Sequence, residues 1–111
     1  MSIPRYKQLM LELKAYQDER CWPGAIVHFA NVLHDKGWIE TVRVESYPYF
    51  ESNIGLFMRV THLTRTVPHW MGDISLRDHG IVPNSYNDHQ AFLSRKEAEV
   101  YITQKTGKIY A

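Results

Sequence analysis

Residues 23–44, PGAIVHFANVLHDKGWIETVRV, decide the fold, because the hydrophobic period changes inside them. Ile26, Phe29, Ala30 and Leu33 recur at three- and four-residue steps, which puts them on one helical face. Pro23 suits a first helical turn, where its missing N–H would have had no partner. Gly37 suits a left-handed C-terminal cap, and His34 and Lys36 put positive charge where the helix dipole favours it. These signs predict a helix from Pro23 to Asp35 or Lys36. From Trp38 the pattern alternates. Trp38, Glu40, Val42 and Val44 oppose Ile39, Thr41, Arg43 and Glu45, a strand running towards Phe50. Pro48 should end it or place it at a sheet edge.

Upstream, Tyr6, Leu9, Met10, Leu13 and Tyr16 form an apolar stripe in a first amphipathic helix over Pro4–Arg20. CWPG at 21–24 punctuates the chain, so the two helices make an N-terminal αα-hairpin. Downstream, ESNIG at 51–55 reads as a turn and Ile54–Thr64 as a second strand. Leu56, Met58 and Val60 share its inner face; Phe57, Arg59, Thr61 and Arg65 share the outer one. A third strand follows near Met71–Leu76, and the short TVPHW connection favours antiparallel pairing. Residues 78–90, DHGIVPNSYNDHQ, have the composition of a loop. Ser94 and Glu97 form a capping box that starts a helix over Arg95–Thr106. That helix buries Ala98, Tyr101 and Ile102, and Gly107 stops it. The expected fold is one α+β domain over residues 1–111. It has an N-terminal αα-hairpin, an antiparallel sheet of three to four strands and a C-terminal helix packed on one sheet face.

Composition narrows the function. With 111 residues, 44% hydrophobic and 23% charged, the chain has the make-up of a globular domain. A net charge of +1 supplies no general attraction to nucleic acid. No apolar run approaches the ~20 residues of a membrane span, and MSIPRYKQLM shows no secretory signal. The single cysteine, Cys21, excludes an internal disulfide and fits a reducing compartment, so the expected location is cytoplasmic.

His and Asp crowd the region after Pro68. His69, Asp73, His79 and His89 have the donor atoms to hold a divalent metal ion if they converge, as in a metal-assisted hydrolase or nuclease. Neither HExxH nor paired CxxC is present, however. Asp78–His79–Gly80 and Asn87–Asp88–His89 read first as turns, where Asp and Asn bond their own backbone. Cys21 reads as a small buried hydrophobe. No serine sits in a Gly-x-Ser-x-Gly context, and no glycine cluster cradles phosphate.

The outer sheet face offers the stronger site. Arg43, Arg59 and Arg65 beside Tyr47 and Phe57, with Trp70 nearby, have the composition of protein-interface anchors. Arginine and aromatics also build stacking platforms for single-stranded nucleic acid, a further alternative. The leading expectation is a non-enzymatic interaction protein of adaptor or inhibitor type, without a cofactor, encoded by a bacterium or mobile element such as a phage. Its partner is another protein, with homodimerisation through an edge strand or the aromatic face left open and no membrane involved.

Overall fold

The computed structural model describes residues 4–51, 55–64, 71–81 and 88–110. Its elements are α1 (Arg5–Tyr16), a 3₁₀ turn (Glu19–Cys21), β1 (Ile26–Leu33), β2 (Lys36–Val44), β3 (Tyr49–Glu51), β4 (Gly55–His62), β5 (Met71–Ser75), β6 (Gln90–Phe92) and α2 (Arg95–Thr106).

The expected αα-hairpin is absent, because the segment read as its second helix is β1. Val27 and Phe29 are buried on one side of this strand, and Ala30 and Val32 on the other. A strand buried on both faces reads as a continuous apolar run, and 3.6-residue spacing then arises by coincidence. Ile26, Val27 and Val32 are β-branched and Phe29 is aromatic, all suited to extended chain. β2 pairs with β1 along its whole length, from Ile26 opposite Arg43 to Leu33 opposite Lys36. His34 and Asp35 make the two-residue turn between them, with His34 at a φ of 57°. Gly37 therefore lies inside β2 and caps no helix.

Among the described residues the sheet has six strands rather than three or four, and every neighbour is antiparallel. Phe57 pairs with Tyr49 of β3 on one side and Ser75 of β5 on the other; Val60 pairs likewise with Val44 of β2 and Gly72 of β5. Thus β2 and β3 run along the same edge of β4, as one path interrupted at residues 45–48. The interruption has a local cause. Buried Pro48 has no N–H to give a ladder. Ser46 Oγ instead accepts the Arg59 N–H at 2.9 Å, while the Glu45 N–H donates to the Arg59 carbonyl at 2.7 Å. Such a break bends the path and lets the sheet curl. At the far edge, β6 begins at Gln90, the last residue of the expected loop, and pairs with residues 28–30 of β1.

Packing follows strand parity. Val27, Phe29, Val42, Val44, Met58 and Val60 form the core of one face, closed by Cys21, Leu76 and Ile81. On the other face Ala30, Val32 and Ile39 meet Ala98 and Ile102 of α2. α2 begins as expected: Ser94 Oγ accepts the Glu97 N–H at 3.4 Å, and Gly107 ends it at a φ of 73°. Arg20 ties the 3₁₀ turn to the body. Its guanidinium grips Asp18 at 2.7 Å and donates to the carbonyls of Ala91 at 3.0 Å and Ile81 at 3.3 Å. Burial works against a charged Asp18, but the Arg20 hydrogen bonds hold its pKa below the usual value.

α1 stops at Tyr16, and its apolar stripe points away from the sheet. Gln8 and Ala15, seven residues apart, are its buried positions. Tyr6 and Leu13 are each 62% exposed and Met10 68%.

Candidate functional site

α2 packs on β1, β2 and β6. Towards β3, β4 and β5 the same sheet face carries Arg43, Phe57, Arg59, Tyr49 and Asp73, all in phase by the ladder register. Arg43 Nε lies 2.6 Å from Glu45 Oε1, which also accepts the Thr61 hydroxyl at 3.0 Å. These bonds, Arg43 first, hold the Glu45 carboxyl below its ordinary pKa. Arg59 stands directly across the ladder from Asp73. Asp73 accepts the Tyr49 hydroxyl; burial, reinforced by that carboxylate, pushes Tyr49 up to about 12. Each arginine thus has a carboxylate beside it, and an aromatic ring adjoins the pair.

Of the six residues expected at the partner surface, the structure brings together Arg43, Phe57 and Arg59. Tyr47 is displaced from them. It sits in the β2–β3 break, 51% exposed, edge-on to Tyr16 of α1 with ring centroids 5.4 Å apart. Arg65 and Trp70 lie outside the described residues.

The His/Asp set divides between the two faces of the sheet. Asp73 faces the Arg59 side. His79 lies on the opposite side, its ring 4.7 Å from that of Phe29 and its Nδ1 donating to the Ser75 carbonyl at 2.9 Å. His89 Nδ1 accepts the Val32 backbone N–H at 3.1 Å, so that nitrogen carries no proton. Burial, with His79 nearby, keeps His89 below the ordinary histidine pKa. His62 is 3% exposed, with Nδ1 3.7 Å from Glu40 Oε2. His69 lies outside the described residues. Among the described residues no group of three His, Cys, Asp or Glu side chains could hold a metal ion. Cys21 is fully buried, and burial raises its thiol to about 12, so it offers no thiolate at neutral pH.

A family model described as Phage g100-like protein matches residues 22–105, well over half of the chain. The chain belongs to the Phage g100-like family. The matched span of this g100-like protein takes in the whole sheet and nearly all of α2, and begins after α1 and the 3₁₀ turn. A phage family agrees with the expected mobile-element origin. No curated protein and no solved structure matches the chain. Among the described residues, no helix is long and apolar enough to cross a membrane.

Sequence reasoning placed Glu45 and Thr61 on the outer face without giving them a role, passed over Tyr49, and offered Asp73 only as a ligand of the alternative metal site. The parity of Tyr49 and Thr61 was readable, but the strand register that sets Asp73 opposite Arg59 was not. It also left open what the α1 stripe faces and passed over Trp22, which is 44% exposed and donates its Nε1–H to the Tyr16 carbonyl at 2.9 Å.

Proposed function

We propose that this g100-like protein is a non-enzymatic phage binding protein, an adaptor or inhibitor that engages another protein through Arg43, Phe57 and Arg59. The observation that carries this reading is the mixed charge of the face. Arg43 pairs with Glu45 at 2.6 Å, and Arg59 stands opposite Asp73. A protein partner presents both signs and can satisfy such a surface. A phosphate backbone would meet Glu45 and Asp73 as well as the arginines, with a net chain charge of only +1 behind them. Arg43, held by Glu45, also has less rotamer freedom to lose when a partner arrives.

The test compares the wild type with Arg43→Glu and Arg59→Glu as bait in lysate from phage-infected bacteria. Both positions are exposed, so the fold should persist. The wild type should retain a protein near one-to-one stoichiometry, and each variant should lose it by about tenfold or more, as expected at an interface anchor. Equal retention by all three baits would overturn the assignment. So would capture of a single-stranded oligonucleotide whose affinity falls steeply with salt.

A further inference from the structure

We infer that α1 is a self-association element, pairing antiparallel with α1 of a second copy of this chain. This surface is separate from the sheet face proposed above. The helix sits on the body through Gln8 and Ala15 and turns Tyr6, Leu9, Met10, Leu13 and Tyr16 outward, at 62%, 49%, 68%, 62% and 42% exposure. Little within the helix offsets that exposure. Pro4 at its N-cap makes no side-chain capping bond, and its first turn has no acidic residue. A 12-residue helix without such help is marginal in water.

The stripe is self-complementary. Four of its five residues are symmetric about position 11: Tyr6 and Tyr16 stand at equal distances from it, and so do Leu9 and Leu13. An isologous two-fold contact sets residue i against j and j against i, so in this register ring meets ring and leucine meets leucine. In an antiparallel pair centred there, Tyr6 meets Tyr16 of the second copy and Leu9 meets Leu13. The charges allow it too. Turned end for end, Arg5, Lys7, Glu12 and Lys14 fall opposite Gln17, Ala15, Met10 and Gln8, so no like charges oppose each other.

The area suffices. Taking about 200 Å² for a large side chain, the five stripe residues offer roughly 550 Å² per copy. Tyr47, packed on Tyr16, and Trp22, bonded to the Tyr16 carbonyl, extend the patch at the same end of the helix. With them the patch reaches roughly 750 Å² per copy, against about 800 Å² per partner for a standard specific interface. Tyr6 of the second copy would dock into this aromatic corner.

Sedimentation equilibrium of the full chain tests the inference. The wild type should pass from monomer to dimer at about 1–100 µM, the weak end for an interface of this size. Leu13→Glu enters the two-fold contact twice, so it should weaken the dimer about a hundredfold or more while leaving the far-ultraviolet circular dichroism unchanged. For orientation, a mixture of Leu9→Cys and Leu13→Cys chains should form disulfides faster than either alone; fully buried Cys21 does not compete. A chain that stays monomeric at about 1 mM overturns the inference, as does a dimer untouched by Leu13→Glu. Leu9→Cys self-linking as fast as the mixture would refute the antiparallel arrangement. A monomer that floats with anionic vesicles would give the stripe to a lipid surface instead.

Discussion

Gly37→Ala tests how α2 is seated. Ile102 Cγ2 lies in the place an added Cβ at Gly37 would take, and Ile102 is 2% exposed. A β-branched side chain in a helix has one strongly preferred χ1, so Ile102 cannot swing aside cheaply. Overpacking of this kind costs about 1–3 kcal/mol. Against this, alanine restricts the unfolded chain and returns about 0.4–1 kcal/mol, since Gly37 has no positive φ that alanine would strain. The net expectation is a loss of up to about 2.6 kcal/mol, centred on about 1.3 kcal/mol, a fall of roughly 1 M in the urea midpoint for a small domain. The decisive measurement is the double-mutant cycle with Ile102→Ala. That change alone should cost about 2–5 kcal/mol, but it removes the obstructing methyl. Gly37→Ala should then be neutral or slightly stabilising in the Ile102→Ala background. If it costs as much there as in the wild type, the close seating of α2 on β2 is wrong.

Two further outcomes follow from the interior. Burial, with Arg95, depresses the pKa of His28, and burial, with His79, depresses that of His89. The unfolded chain, with imidazoles near 6.5, therefore binds more protons than the folded one, so stability should be full above that pH and decline as the pH falls through it. A urea midpoint unchanged between about pH 7.5 and about pH 5 would contradict this. Arg20→Ala leaves the Ala91 and Ile81 carbonyls without the guanidinium and should cost about 2 kcal/mol. Hydrogen exchange should show the loss concentrated at β6 and residues 76–81, and a uniform loss of protection would refute the clamp.

The legible parts of the fold were those with one buried side. In β4, Leu56, Met58 and Val60 alternate with Phe57 and Arg59, and burial follows that alternation. Ser94 and Gly107 mark the ends of α2 through local geometry, which needs no tertiary knowledge. β1 misled because both its faces are covered, which erases the period of two. β6 escaped because only three of its residues pair, and its anchorage comes from Arg20, seventy-one positions away from Ala91. At the candidate site, the arginines and Phe57 could be placed on one face by parity alone. Their carboxylate neighbour Asp73 could not, because the pairing of β5 with β4 depends on how the intervening chain spans between them. The α1 stripe was legible as the apolar side of an amphipathic helix, but its exposure was not, since a helical period says which residues share a face and not what the face meets.

The His89–Val32 bond has a consequence for the solubility of the chain. β6 covers only residues 28–30 of the eight-residue β1. Beyond that point the Val32 N–H would be open to another strand, the template on which chains stack edge to edge into aggregates. The His89 ring nitrogen already holds that N–H, so a side chain ends the ladder where backbone would otherwise invite more backbone. This stopper works only while the ring is unprotonated. Acid would therefore do more than lower stability: it would free the Val32 N–H to receive another strand.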